Sequence, residues 1–178
     1  MTDAQFFEFC QLNRELQIER TATGDLIIMP PTGSATGGRN FKLTQQLANW
    51  TDRDGTGIGF DSSTGFTLPN GAKRSPDAAW IKLDRWNQLT EEEQERFAPI
   101  SPDFVVELRS PSDNLADLQD KMKEYIENGV RLGWLIDRPQ QRVFVYRVDG
   151  SVELLESPET LNGELVLPGF ELDLSKIW

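Results

Sequence analysis

The sequence contains no histidine and a single cysteine, Cys10. Without an imidazole there is no Ser-His-Asp triad, no Cys-His pair and no histidine base. Zinc sites built on His, or on several thiolates, are excluded as well. A metal bound here must be held mostly by oxygen, which favours magnesium, manganese or calcium. One cysteine cannot form an intrachain disulfide, so nothing asks for an oxidising compartment. Cys10 reads as a small buried apolar residue. Basic charge is also scarce: 18 Lys and Arg face 29 Asp and Glu, for a net charge of −11. That balance opposes broad attraction to nucleic acid or to an anionic membrane. No apolar run approaches the length of a membrane span. The start, MTDAQFFEFCQLNRE, lacks the basic and apolar regions of a signal peptide. The expectation is a cytoplasmic protein of one domain over residues 1–178.

What is present is an alternation of helix and strand patterns, with no internal repeat and no low-complexity tract. Thr2 and Gln5 form a capping box that opens a helix from Asp3 to about Asn13. Gln17–Arg20 and Asp25–Met29 read as a hairpin. Leu43, Leu47 and Trp50 give one apolar face to a helix from about Ala35 to Asp52. Residues 57–61, 65–68 and 77–83 read as short strands, and Thr90 with Glu93 makes a second capping box. The segment PDFVVELRS (102–110) is the strongest strand signal, apolar on both faces as a covered central strand should be. A helix from about Asp113 to Asn128 follows, with Gly129 at its end. Its buried stripe is Leu115, Leu118, Met122 and Ile126. LGWLID (132–137) is a second buried strand, and 142–156 reads as a meander around Asp149-Gly150. The tail adds a last short strand and a turn. Together these imply an α/β (α+β mixed) fold, with a mixed central sheet flanked by helices and an additional β-meander.

Two Pro-Asp pairs, Pro76-Asp77 and Pro102-Asp103, open strands. Alternation places Asp103, Val105 and Glu107 on one face. Glu107 is thus an acid in a buried segment, and needs a cation, a proton or a metal. Arg109, two residues on, is one candidate cation. On the following helix Asp117, Lys121 and Tyr125 recur every four residues, so Lys121 can reach the strand bearing Glu107. Two acids and a lysine at a strand end suit phosphodiester hydrolysis around magnesium, with the lysine orienting water or stabilising developing charge. Lys123 takes that place if the helix phase is shifted. Asp103 reads as a turn residue or an outer acid, and Tyr125 as core with a satisfied hydroxyl. The Gly-rich segment TGSATGGRN (32–40) lacks a Walker lysine and a preceding strand, so it is a poor nucleotide site and reads instead as a flap over the cleft.

The run Pro102-Asp103-Phe-Val-Val-Glu107, followed by Ser110-Pro111-Ser112-Asp113, resembles the Uma-type family expanded in cyanobacteria. The likeness continues through Asp117-Leu118, Lys121, Tyr125, Gly129-Val130 and Trp134-Leu-Ile-Asp137. Upstream, Gly24-Asp-Leu, Met29, Pro31-Thr-Gly33 and Pro76-Asp77-Ala-Ala also fit. This resemblance implies the restriction-endonuclease-like fold of the PD-(D/E)XK nucleases. It further implies an endonuclease using magnesium or manganese, with DNA as a partner and a homodimer as the assembly. By the same resemblance Asp77 and Glu107 hold the metal, the Leu108 carbonyl adds a ligand, and Glu19 supplies an N-terminal acid. The superfamily lysine ordinarily falls where this chain has Arg109; here Lys121 on the next helix matches it. The alternative reading, motivated by the net charge, is a catalytically inactive nuclease-fold binding or assembly module. A basic rim drawn from Lys73, Arg74, Arg109, Lys121 and Lys123 supports the nuclease. An acidic rim with an apolar patch elsewhere supports the module.

Overall fold

The computed structural model describes residues 1–178. In chain order the elements are α1 (Asp3–Leu12), β1 (Gln17–Arg20), β2 (Leu26–Met29), α2 (Ser34–Asp54), β3 (Gly57–Asp61), β4 (Phe66–Thr67), β5 (Lys73–Arg74) and β6 (Ala78–Lys82). They continue with α3 (Leu83–Trp86), α4 (Glu91–Gln94), β7 (Phe104–Leu108), α5 (Leu115–Glu127), β8 (Leu132–Asp137), β9 (Arg142–Arg147), β10 (Val152–Glu156), β11 (Thr160–Asn162) and β12 (Glu171–Asp173). The two capping boxes form at Thr2 and Thr90 as their spacing requires.

A six-stranded mixed sheet, ordered β10-β9-β8-β7-β6-β3, organises the molecule. Only β7 and β8 run parallel, and α5 connects them. Every residue of β7 and β8 is buried, because helices and loops cover both faces there. On one face α2 packs through Leu43, Leu47 and Trp50 against Phe104, Trp134 and the C-terminal segment around Phe170. On the other, α5 packs through Met122 and Tyr125 against Ala79, Val105 and Leu135. Gly133 permits that approach: a Cβ there would stand 2.5 Å from the Met122 side chain. Gly129 ends α5 at φ +100°, a conformation glycine adopts without steric cost. The expected mixed sheet, flanking helices and meander are all present.

A second sheet, ordered β2-β1-β5-β4, lies against this unit. β5 has two residues and no sequence pattern announces it. The tail carries the expected short strand, β12, and turn, a 3-10 turn at Leu174–Lys176; β12 pairs with β11, a strand that no sequence pattern announces. The Gly-rich segment is not a flap: α2 begins at Ser34 and includes Gly37 and Gly38. Each helical glycine costs about 1 kcal/mol, and the buried stripe further along α2 outweighs it. No helix is long and apolar enough to cross a membrane.

Candidate functional site

The antiparallel register of β6 and β7 pairs Ala78 with Val106. One step further along this register, Asp77 faces Glu107 on the side that α5 covers. The Leu108 amide donates to Asp77 Oδ2 at 2.7 Å and fixes the junction. Asn40, in the second turn of α2, donates through Nδ2 to Asp77 Oδ1 at 2.8 Å. Its own Oδ1 is buried and has no hydrogen-bond partner.

Lys121 projects from α5 into the space between three acids' elements. Its Nζ donates to Glu19 Oε1 at 2.8 Å and lies 2.8 Å from Glu107 Oε1. The Tyr125 hydroxyl, one turn along α5, donates to the same Glu107 oxygen at 3.0 Å. Glu107 Oε2 makes no hydrogen bond. Glu19 is held far more tightly: beyond Lys121, it accepts from Arg74 at 3.0 Å and from the Ser75 amide at 2.8 Å. Arg74 in turn binds Glu124 at 2.6 Å. Two carboxylates, Glu107 and Glu19, therefore share one lysine, and Asp77 stands near enough to feel its charge.

The charges respond to this crowding. Burial pushes Glu107 up to about 7; Lys121 opposes the shift, and Asp77 and Glu19 add to it. Burial likewise raises Asp77, against the Leu108 amide and Lys121. Burial acts on Glu19 too, yet Lys121, Arg74 and the Ser75 amide together hold it below the usual carboxylate range. Burial works against the charge of Lys121, but Glu107 and Glu19 overcome it and keep the amine protonated well beyond the ordinary lysine range. Tyr125 is raised well above its ordinary value by burial and by the carboxylate it serves.

Asp77, Glu107, Leu108, Lys121 and Asn40 open onto a cleft of about 580 Å³, bounded by Pro30–Thr36 and by Ser110–Asp113. Glu19 stands behind Lys121, outside the cleft lining. The remaining candidates lie elsewhere. Arg109 follows the end of β7 and pairs with Asp137 at 2.8 Å, so it is not the cation of Glu107. Asp103 caps the Lys82 amide and pairs with Arg85 at the opposite end of β7. Lys123 points to solvent and pairs with Asp120. The stripe of α5 is led by Met122 and Tyr125, with Leu115, Leu118 and Ile126 only half-buried. The expected basic rim does not form. Lys73 and Arg74 are buried, Lys73 on Asp3 and Arg74 on Glu19 and Glu124. In a chain this acidic, most cations find a carboxylate.

Sequence reasoning gave no site role to Asn40 or Glu124 and placed Arg74 on a basic rim instead of beside Glu19. Asn40 sits three residues before Leu43, so its place near the core face of α2 was readable. The Arg74–Glu19 pair spans 55 residues and leaves no local signal.

A hard cation fits the donor set. No three or more His, Cys, Asp or Glu side chains are grouped as a metal-holding cluster; the oxygens at hand are the Asp77 and Glu107 carboxylates and neutral donors. Glu107 Oε2 and Asn40 Oδ1 lack partners, and the Leu108 backbone adjoins Asp77. Magnesium suits such a set, since it retains several waters and commonly takes one or two carboxylates.

No curated protein matches the chain. Among solved structures, one described as a "putative nuclease belonging to DUF820 from Anabaena variabilis ATCC 29413" superimposes with a TM-score of 0.74 at 20% identity, covering 90% of this chain and 88% of that one. At that identity the likeness shows the fold. Residues 3–175 match the Uma2 family model, described as "Putative restriction endonuclease", and the chain belongs to that family.

Proposed function

We propose that the protein is a metal-dependent nuclease that hydrolyses phosphodiester bonds at the Asp77–Glu107–Lys121 cleft. The observation that carries this reading is the imbalance at Glu107. This buried acid shares one lysine with Glu19, faces Asp77, and keeps one oxygen unpaired. Such a carboxylate is suited to a further cation, because burying an under-compensated charge costs several kcal/mol. Asp77 and Glu107 would hold a divalent ion, whose charge would offset that burial, and Asn40 Oδ1 and the Leu108 carbonyl would be further candidate oxygens.

Such an ion, when bound, supplies Lewis-acid polarisation of a phosphoryl oxygen and a more acidic water. The chain supplies the rest. Asn40 and the Leu108 amide hold the Asp77 carboxylate in one orientation. Tyr125 does the same for Glu107. Lys121 remains protonated, so it does not take a proton from water. It serves as a charged donor toward the negative charge that builds on the phosphate as water attacks phosphorus and the ester oxygen departs. Arg74 and Glu19 hold the amine in place from behind.

The alternative, an inactive assembly module, draws on a separate observation. β2 is the edge strand of its sheet, and Leu26, Ile27 and Ile28 are exposed on it. Incubation of supercoiled plasmid, and of single-stranded DNA and RNA, with magnesium or manganese separates the readings. The nuclease reading expects cleavage that chelation abolishes and that Asp77→Asn and Glu107→Gln lose. Cleavage undiminished in Glu107→Gln contradicts it, as does inertness of the wild-type chain toward all three substrates.

A further inference from the structure

The net charge of −11 is unevenly distributed. No Asp or Glu occurs between Asp25 and Asp52, whereas the rest of the chain is dense with acids. That acid-free stretch forms β2, the Pro30–Gly33 wall of the cleft and most of α2. Arg14, Arg39, Lys42, Arg53, Arg138 and Lys176 are the only cations that make no ion pair. Two of the six, Arg39 and Lys42, stand in this stretch, three residues apart and so on one side of α2.

Their position matters as much as their freedom. Asn40, between them in sequence, is the residue of α2 that bonds Asp77. Arg39, Phe41 and Lys42 stand outside the cleft lining, one turn beyond the α2 N-terminus that borders it, with Phe41 and Lys42 exposed. Phe41 is 65% exposed, an unusual place for a phenyl ring, and Lys42 Nζ lies 5.7 Å from its centroid. α2 starts at Gly33 with no side-chain cap, so its first amides are left to solvent or to an anion. A Cβ at Gly33 or Gly38 would meet nothing within 4 Å, so a ligand backbone has open access there. Uncapped amides at the mouth of the cleft are thus followed, along the outer side of the same helix, by free positive charge and an exposed aromatic ring. A second groove of about 530 Å³ shares Gln17, Pro30, Pro31, Ser62 and Ser75 with the cleft and leads to Arg14. Glu15 lines it as well, so it contributes room rather than charge.

We propose that the N-terminal half of α2 is the docking surface for a nucleic-acid strand. Arg39 and Lys42 take backbone phosphates of the strand outside the cleft, past the α2 N-terminus, and Phe41 packs on a base. The net charge does not forbid this. At physiological ionic strength, charges beyond about 8 Å are largely screened, so a phosphate meets the local field. The choice of ligand rests on the nuclease reading above; the placement of the surface rests on charge and exposure.

The test is fluorescence anisotropy of labelled single- and double-stranded oligonucleotides with the full chain in EDTA, across a salt series. Arg39→Gln/Lys42→Gln should weaken binding about tenfold or more at low salt. It should also flatten the plot of log Kd against log salt by about 1.4–1.8, the amount for two lost phosphate contacts. Phe41→Ala should weaken binding to the single strand about fivefold or more with the slope unchanged. Arg53→Gln/Lys176→Gln removes two equally unpaired cations, at the far end of α2 and near the C-terminus, and should bind as wild type does. Phe41, Lys42, Arg53 and Lys176 are exposed and Arg39 is half-buried, and thermal melts confirm that each variant folds. The proposal is overturned if Arg39→Gln/Lys42→Gln binds like wild type, if the control pair loses as much, or if wild type binds neither oligonucleotide. Cleavage assays on the same proteins keep the two readings apart. Cutting that is indifferent to α2 sinks the docking surface alone, and α2-dependent binding without cutting sinks the nuclease alone.

Discussion

β7 carries a buried acid at each end, and the two are treated differently. Asp103, just before the strand, accepts from the Lys82 amide at 2.9 Å and is ion-paired with Arg85 at 3.0 Å and Arg131 at 3.8 Å. Glu107, four residues on, has a phenol and a lysine that it shares with Glu19, and a third acid, Asp77, stands opposite. Both acids are at most 5% exposed. Burial alone therefore does not mark a functional carboxylate. On the proposed reading the mark is a charge whose compensation is incomplete and whose residue lines a cleft.

The sharpest break of the comparison exchanges the two acids' roles in one experiment. Glu107→Gln or Asp77→Asn should lower cleavage about a hundred- to thousandfold while the fold stays intact. Asp103→Ala should do the reverse, costing about 2–3 kcal/mol of stability while the folded protein still cuts. Plasmid cleavage and urea melts on the same preparations read both. A large loss of stability in Glu107→Gln, with activity retained, would make the two acids equivalent.

Next in size is Lys121→Met, which leaves Glu19 and Glu107 buried around an uncharged side chain. The expected loss is about 3–5 kcal/mol. Adding Glu107→Gln to it should recover part of that loss, because the pair is coupled. Additive losses would mean that the two side chains do not interact.

The pH dependence sharpens the contrast further. Glu107 is raised from its ordinary 4.5 to about 7, so the folded state holds a proton that the unfolded state releases. Its contribution is full below about 4.5 and is lost as pH rises through about 7. Glu107→Gln lacks this slope, so its stability relative to wild type should improve by on the order of 2 kcal/mol between those limits. Glu19 is lowered, so its contribution runs the other way and is lost only as pH falls into the acid range. Chemical melts at several pH values measure both. Smallest of all, Tyr125→Phe removes one donor from Glu107 and should cost about 1 kcal/mol.

Much of this was legible in the sequence, and the exceptions share a cause. The helices announced themselves by capping boxes and a 3.6-residue period, and β7 by an apolar run interrupted once, at Glu107. Lys121 was legible because helical spacing tied it to Tyr125 and to the strand before it. Arg109 misled, because strand alternation puts it on the face of Glu107 only if the strand continues, and β7 ends at Leu108. Lys73 and Arg74 read as surface charge because β5 is too short to show a pattern. Their burial depends on Asp3, Glu19 and Glu124, which lie far away in sequence. Asn40 was in plain view, but its role exists only once β6 brings Asp77 beside α2.

The most direct test of the central claim is a calorimetric titration of manganese into the wild-type protein, Asp77→Asn and Glu107→Gln, with Asp103→Asn as the matched control. The incomplete compensation of Glu107 predicts one manganese site in wild type and in Asp103→Asn, lost in Asp77→Asn and in Glu107→Gln. Binding of equal affinity in Glu107→Gln, or none in wild type, would contradict it.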